Sequence, residues 1–199
     1  MIQCLMLDVD GVVVHPRPAG GGSWAADIER DLGIRLEDFR ARFFVPHWDD
    51  VVTGRRPLTD ALAACLPALS PDVTPERFVA YWFERDGAID DAVLADCAAL
   101  RRDGVRVLLA TNQEHLRAAH LMTGLALADH VDGMVYSAAI GARKPDRAFY
   151  DAAARQSGMA PEALLLVDDT SANIDGARRA GWQARLWTPG ASLLDLVRD

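Results

Sequence analysis

Polar side chains follow several short apolar runs of this sequence, and their types could serve chemistry at a shared site. Asp8 and Asp10 end the first run, and Thr111-Asn112 ends the second. Lys144 follows the third run, and Asp168-Asp169 ends the fourth. Ligands of open parallel sheets bind beyond the carboxyl ends of the strands. We therefore expect these groups, although far apart in sequence, to converge on one crevice.

Four carboxylates in one crevice would repel each other, and some would have to take up protons. A magnesium ion resolves this difficulty because it prefers carboxylate, water and phosphate oxygens as ligands. Lys144 adds a second positive charge and can act as a compact phosphate binder. The residues therefore indicate a metal-assisted phosphoryl-transfer site.

Roles for the individual residues follow from where they lie on the strands. Asp8, at a strand tip, suits a nucleophile that attacks phosphorus in line and becomes an aspartyl phosphate. Asp10 could protonate the departing oxygen and then take a proton from the hydrolytic water. The Thr111 hydroxyl and nearby backbone N–H groups can hold phosphate oxygens. Asp168 would ligate the metal, and we expect Asp169 and Asn173 to ligate it or to orient its waters.

The apolar runs alternate with helical patterns, which predicts a parallel sheet covered by helices on both faces, an α/β fold. The runs are too short for helices and end at polar residues, so we predict strands over 4–7, 105–110, 134–136, 164–167 and 184–186. The spacing of apolar residues predicts helices over 90–103, 113–123, 147–156 and 171–180.

Residues 15–89 interrupt this alternation, since they far exceed an ordinary connection. Helical patterns in this stretch cover 24–32, 36–44 and 58–66, and a further helix begins at Thr74-Pro75. We therefore predict an inserted helical cap over 15–89 and a catalytic core formed by 1–14 and 90–199. The Pro- and Gly-rich residues 16–22 could form a hinge, a mobile loop or an ordinary flexible connector.

These residues and their order resemble the haloacid dehalogenase superfamily, specifically its phosphatases with a helical cap inserted after the first strand. The resemblance covers essentially the whole chain. Its four motifs are LDVDGVV at 7–13, LATN at 109–112, Lys144-Pro145, and VDD at 167–169 with Asn173. The resemblance implies a Rossmann-like sheet of order 5-4-1-2-3, in which the five strands are numbered along the chain.

The same resemblance implies residue roles. Asp8 would be the nucleophile and Asp10 the acid/base, and magnesium would be bound by Asp8, the backbone carbonyl of Asp10, and Asp168. Thr111, Asn112 and Lys144 would contact phosphate. The true dehalogenases of the superfamily lack the second aspartate of the first motif, so Asp10 argues against dehalogenation. We therefore expect a magnesium-dependent phosphatase that acts on small phosphomonoesters such as sugar phosphates.

The residues of the inserted stretch that could select a substrate are His47, Trp48 and Arg55. They occur in a Pro- and Gly-punctuated stretch between predicted helices, where they could face the crevice and contact the leaving group. Alternatively, Trp48 packs in the core of the cap and the arginine is solvated.

Composition limits the partners and the location of the protein. The 199 residues carry a formal charge of −8 and no long basic run, which argues against nucleic acid or an anionic membrane as the main partner. A small phosphorylated metabolite is the expected partner. The three cysteines are scattered, which predicts reduced thiols in a reducing compartment. No signal-peptide pattern or membrane-length apolar run is present, so we predict a cytoplasmic protein.

Two other functions use related chemistry. A phosphomutase of the same superfamily would need a cap that excludes water and returns the phosphate to the sugar. A non-enzymatic phospho-aspartate switch of the receiver type also combines acidic residues, Thr and Lys around magnesium. In receivers, however, the acid pair comes first and the phosphorylated aspartate lies on a middle strand, whereas here the order is reversed and residues 15–89 intervene.

Overall fold

A computed structural model describes residues 2–16 and 22–198 of the chain. The strands of these residues are β1 (Cys4–Leu7), β2 (Val14–His15), β3 (Ala88–Ile89), β4 (Arg106–Thr111), β5 (Met134–Tyr136), β6 (Leu164–Asp168) and β7 (Gln183–Leu186). Five of them form a parallel sheet in the order β5-β4-β1-β6-β7. If only these five are numbered along the chain, the order is 3-2-1-4-5. This is the predicted order, counted from the opposite edge, and the α/β fold class is confirmed.

The helices of the described residues are α1 (Ile28–Leu32), α2 (Leu36–Phe39), α3 (Val45–Val52), α4 (Leu58–Leu69), α5 (Pro75–Arg85), α6 (Asp91–Arg102), α7 (His115–Ala119), α8 (Ser137–Ile140), α9 (Arg147–Ser157), α10 (Ser171–Arg179) and α11 (Leu193–Arg198). Two π-helical turns, Arg40–Phe44 and His120–Gly124, continue α2 and α7. The five sheet strands and the helices α6, α9 and α10 agree with the sequence prediction to within one residue at each end. None of the described helices is long and apolar enough to cross a membrane.

The sheet has a hydrophobic cluster on each face because successive side chains of a strand point to opposite sides. Leu5 and Leu7 of β1 pack in one cluster together with α6 and α11. Cys4 and Met6 pack in the other, together with α9 and α10. All four side chains are fully buried, as expected for a strand at the centre of a parallel sheet. This packing fixes the position of the carboxyl end of β1, where Asp8 follows.

The segment between β2 and β3, which we call the helical segment, contains α1–α5 and has its own aromatic core. Trp24 stacks on Trp82 with ring centroids 4.6 Å apart, and Phe39 stacks on Phe43 at 4.8 Å. Trp48 joins this cluster at 5.9 Å from Trp82. Thr74 accepts a hydrogen bond from the Arg77 N–H and so caps α5, as its position before a proline predicts.

Three helix bounds predicted for the helical segment are wrong. The helix predicted from residue 24 begins only at Ile28, and the one predicted to end at residue 66 continues past Pro67 to Leu69. The helix expected to end at residue 44 continues through the π-helical turn into α3, so His47 and Trp48 lie on a helix and not in a punctuated loop. The reason is that Pro46 occupies the first turn of α3, directly after the wider π-helical turn. Here the missing N–H of proline does not end the helix. Arg55, by contrast, does lie in the turn that follows α3.

The two ends of the helical segment run side by side. β2 pairs with β3 in an antiparallel ladder that sets Val14 opposite Ile89 and His15 opposite Ala88. The sequence did not predict these strands, because two-residue strands carry no periodic signal. Residues 17–21, which form most of the predicted hinge, lie outside the described part of the chain.

The end of α3 and the turn after it contact α8 and the loop that follows α8 in the core. The Ser137 hydroxyl donates to the Val52 carbonyl at 2.5 Å, and Arg143 pairs with Asp49 at 3.1 Å. Gly54 has a φ of 73°, and a Cβ at this position would collide with the backbone carbonyl of Ala138. The helical segment is therefore in close backbone contact with the core at a position that favours glycine.

We expect Gly54→Ala to destabilise the protein more than Gly104→Ala. Both residues have left-handed backbones, but a Cβ on Gly104 would meet no atom within 4 Å. Gly104→Ala should therefore cost only about 1–2 kcal/mol of conformational strain. Gly54→Ala should add about 1–3 kcal/mol from the collision. Urea unfolding of both variants measures the difference, and equal losses would show that the contact at Ala138 gives way easily.

Candidate active site

The carboxyl ends of β1 and β6 bring Asp8 and Asp168 together around Lys144, which also contacts β4. The Lys144 ammonium lies 3.0 Å from the Asp8 carboxylate and 2.5 Å from the Asp168 carboxylate. It also donates to the Ala110 carbonyl at 2.7 Å. Since Lys144 is only 2% exposed, its charge is satisfied entirely by groups of the protein.

The charges of this cluster shift each other's pKa values. Burial lowers the pKa of Lys144, but the two neighbouring carboxylates outweigh burial and raise it above its usual value. Burial raises the pKa of Asp8 to about 7, which the Lys144 charge opposes and the Asp168 and Asp10 charges reinforce. Asp8 thus holds a proton more tightly than an exposed aspartate. A further cation, such as a bound metal ion, would lower the pKa of Asp8 and favour its charged carboxylate.

Asp168 is fully buried, and both of its oxygens are occupied by hydrogen bonds. Asn173 donates to them at 3.0 and 3.1 Å, and the Thr170 N–H donates at 2.8 Å. Together with Lys144, these contacts hold the Asp168 carboxylate in one orientation. Asn173, predicted to support the metal site, therefore contacts Asp168.

Asp169 is exposed and lies next to the loop that follows Asp8. A Cβ on Gly11, whose φ is 82°, would collide with the Asp169 carboxylate, so the loop passes close to this side chain. Asp8, Asp168 and Asp169 each offer an oxygen, and these atoms all lie within 4.8 Å of one another. Three carboxylate oxygens at this separation suit a hard divalent cation with oxygen ligands.

Thr111, the last residue of β4, and Asn112, which follows it, lie at the site in different ways. The Thr111 side chain is buried beside Gln113, whose amide nitrogen is 3.4 Å from the hydroxyl oxygen. Asn112 uses both polar atoms of its side chain on the backbone of Lys144, at 2.8 and 3.0 Å. In this arrangement Asn112 holds the loop that carries Lys144.

Asp10 has two partners that the sequence interpretation missed, Gln113 and Arg117. The Gln113 amide donates to the Asp10 carboxylate at 2.6 Å, and the Arg117 guanidinium lies 4.0 Å from it. The Asp10 side chain is half exposed, but protein atoms surround the rest of it. The resulting desolvation and the charge of Asp86 raise the pKa of Asp10 to about 6. A helix predicted over 113–123 directly after Thr111-Asn112 already placed Gln113 and Arg117 one turn apart, next to the site.

None of the described contacts of His47, Trp48 and Arg55 links these three predicted substrate-binding residues to the acidic cluster. His47 contacts Arg56 at 3.0 Å, and Trp48 packs among aromatic rings. Arg55 pairs with Asp49 and Asp50. Their described hydrogen-bond, ion-pair and ring partners all belong to the helical segment, so a contact with substrate stays a prediction.

The parallel sheet, the helical segment inserted after β1 and the acidic cluster around a buried lysine define an α/β enzyme with its site at the carboxyl edge of the sheet. The sequence pattern of the haloacid dehalogenase-like hydrolase family matches residues 2–181. The chain belongs to this family, and it is a hydrolase.

The chain is also similar to named proteins over most of its length. It is 39% identical over 218 residues to "Phosphatase MT3486" of Mycobacterium tuberculosis, covering 100% of this chain and 93% of that protein. It is 24% identical to the phosphoglycolate phosphatase of Rhodospirillum rubrum, over 91% of this chain and 77% of that protein. A HAD family enzyme of Bacteroides thetaiotaomicron, in complex with magnesium and inorganic phosphate, shares the fold at a TM-score of 0.82. The match has 15% identity and covers 98% of this chain and 99% of that one.

Proposed function

We propose that this protein is a magnesium-dependent phosphatase that hydrolyses small phosphomonoesters through an aspartyl phosphate on Asp8. The observation that carries the proposal is the cluster in which the Lys144 ammonium contacts the Asp8 and Asp168 carboxylates while Asp10 lies on the adjoining loop. The phosphatase names of two relatives support it. The magnesium and phosphate held by a protein of the same fold agree with the proposed cofactor and chemistry.

The residues present fit a magnesium ion. Asp8 and the Asp10 carbonyl are proposed ligands, as the family resemblance implies. The sequence predicts Asp168 as the third ligand, but its hydrogen bonds to Lys144, Asn173 and Thr170 favour Asp169 for this role. Asp168 would then orient Lys144. When bound, magnesium would neutralise charge on the carboxylates and on the phosphate.

The chain's own residues account for the two proton transfers. An Asp8 oxygen attacks phosphorus while the bond from phosphorus to the ester oxygen breaks, and Asp10 donates its proton to that oxygen. The products of this step are an alcohol and the aspartyl phosphate. Asp10, now a carboxylate, takes a proton from the water that attacks phosphorus. The bond between Asp8 and phosphorus breaks, and inorganic phosphate leaves.

We propose that residues 15–89 act as a cap over a core formed by 1–14 and 90–199. The separate aromatic core of the helical segment and the paired strands at its two ends support this division. A cap would exclude water from the site while substrate is bound. It would also restrict the substrate to a small metabolite such as a sugar phosphate. The free, buried thiols of Cys4, Cys65 and Cys97 agree with a cytoplasmic location.

A panel of phosphorylated metabolites and p-nitrophenyl phosphate, assayed with and without magnesium, tests the proposed function. We expect phosphate release that requires magnesium and is lost on chelation. Analysis of the organic product distinguishes hydrolysis from a mutase reaction, which would yield an isomeric sugar phosphate. Absence of phosphate release across the panel would contradict the proposal.

Magnesium affinity should rise with pH below about pH 7. Because the pKa of Asp8 is raised to about 7, a magnesium ion that binds its carboxylate must displace a proton at lower pH. Linkage then predicts a loss of about tenfold in affinity for each pH unit below that value, and little change well above it. Calorimetric titration with magnesium from about pH 5.5 to about pH 8.5 measures this dependence. An equally steep slope in the Asp8→Asn variant would exclude Asp8 as its source.

A further inference from the structure

Arg117 is a buried cation outside the predicted motifs. Its side chain is 5% exposed, and it lies on α7, directly after the loop that follows β4 and carries Gln113. Glu114 caps α7 by accepting from the Leu116 and Arg117 backbone N–H groups. The cap fixes the start of this short helix and thereby the origin of the Arg117 side chain.

The Arg117 guanidinium lies between the core and the helical segment. It donates to the backbone carbonyl of Asp86, lies 3.6 Å from the Asp86 carboxylate and lies 4.0 Å from the Asp10 carboxylate. Its central carbon is 5.3 Å from the centre of the Phe83 ring, within the range of a cation–π contact. Phe83 belongs to α5, the last helix of the segment, and Asp86 follows that helix just before β3.

One cation thus faces two carboxylates that belong to different parts of the fold. Without Arg117, the repulsion between the Asp10 and Asp86 carboxylates would lose the cation that lies near both of them. Gln113 reaches Asp10 from the same loop but is neutral, so it can orient the carboxylate without balancing its charge. Among the described residues, the Nη1 atom of Arg117 is buried without a hydrogen-bond partner. A buried N–H group without a partner needs an explanation in the surroundings of the residue, and here the guanidinium is turned toward the two carboxylates.

We propose that Arg117 is a positioning residue that holds the Asp10 carboxylate and ties it to Asp86, at the point where the helical segment rejoins the core. This inference rests on the proposed function, in which Asp10 protonates the leaving oxygen. The family motifs identified in the sequence do not include Arg117. Its position makes the geometry of the acid/base residue depend on how the helical segment is seated.

Kinetics with two leaving groups test the role of Arg117. An alkyl phosphate needs a proton on its departing oxygen, whereas p-nitrophenolate is stable enough to leave without one. The value of kcat/KM depends on every step from substrate binding to departure of the leaving group. It therefore includes the proton transfer from Asp10. We expect Arg117→Met to lower kcat/KM at least about tenfold more for the alkyl ester than for p-nitrophenyl phosphate. Arg117→Lys keeps the charge but loses the planar fork, so it should recover part of this difference.

Arg101→Met provides a matched control. Arg101 also pairs with a carboxylate and a backbone carbonyl, those of Asp132 and Asp129, but it lies at the opposite end of the sheet strands. We expect its effect on kcat/KM to be the same for both esters. Equal losses for both esters in Arg117→Met would overturn the positioning role and leave a structural one.

Crystal structures of the wild type and Arg117→Met give a readout that does not require turnover. We expect the Asp10 carboxylate to leave its position beside Gln113 in the variant, and an unmoved Asp10 would contradict the proposal. A wild-type protein inactive on both esters would overturn the proposed function. The crystal structures would then decide by themselves whether Arg117 positions Asp10.

Discussion

Asp8→Asn should abolish phosphate release while leaving the fold intact. The amide cannot attack phosphorus, so loss of the nucleophile should reduce kcat by about 10⁴-fold or more. The fold should tolerate the change because the amide oxygen can still accept from the Val9 N–H, which donates to Asp8 at 2.8 Å, and from Lys144. Burial also raises the pKa of Asp8, which means that this environment disfavours a charged side chain and suits a neutral amide. We expect the free energy of unfolding without magnesium to change by about 1 kcal/mol or less.

Steady-state phosphate release and urea unfolding measure the two parts of this prediction. Mass spectrometry of acid-quenched reactions should find a phosphorylated wild-type chain and an unphosphorylated variant. Asp151→Asn is the matched control, because Asp151 is a surface partner of Arg147 on α9 and should tolerate the amide without loss of activity. A variant that retains a tenth of the wild-type rate would remove Asp8 from the role of nucleophile.

The five strands and the acidic cluster could be predicted from local patterns in the sequence, whereas the order of the strands was implied by the family resemblance. Short apolar runs predicted the five strands, and the polar residues after them lie at the carboxyl edge, as parallel strands require. Asp8, Lys144 and Asp168 were each identifiable from one motif, and in the structure both carboxylates lie within 3.0 Å of the Lys144 ammonium. Their assembly required no knowledge of side-chain packing.

The remaining features depend on contacts between distant parts of the chain. The pairing of β2 with β3 involves two residues from each strand, too few for a periodic signal. The continuation of the helical run past Pro46 depends on a π-helical turn, which amino-acid type does not predict. Arg117 was missed because a single arginine on a helix is usually solvated. Its burial results from the position of Phe83, which comes from a different helix.

Lys144→Met should be strongly destabilising in the absence of magnesium. Methionine keeps most of the length and volume of the side chain, so the main change is loss of the ammonium. Asp8 and Asp168 would then lie buried without a counter-charge, which typically costs about 3–5 kcal/mol. The value of kcat should also fall by about 10²–10³-fold, the usual effect of losing one group that stabilises charge in the transition state.

The pH dependence of this destabilisation distinguishes charge from packing. The pKa of Asp8 is already raised to about 7, and loss of Lys144 should raise it further, since that ammonium is the main group opposing the shift. An aspartate with a raised pKa in the folded state adds stability when protonated and loses that contribution as pH rises through the pKa. The variant should therefore be closest to the wild type near about pH 5 and weakest near about pH 8.

Urea unfolding in EDTA at both pH values, and again with magnesium, tests this expectation. Magnesium should restore part of the lost stability at the higher pH, because a cation near the carboxylates replaces some of the missing charge. Arg147→Met removes an exposed ion pair with Asp151 and should cost less than about 1 kcal/mol at either pH. If Lys144→Met lost the same stability at both pH values and in magnesium, the effect would come from packing. The cluster could not then owe its geometry to the attraction between Lys144 and its two carboxylates.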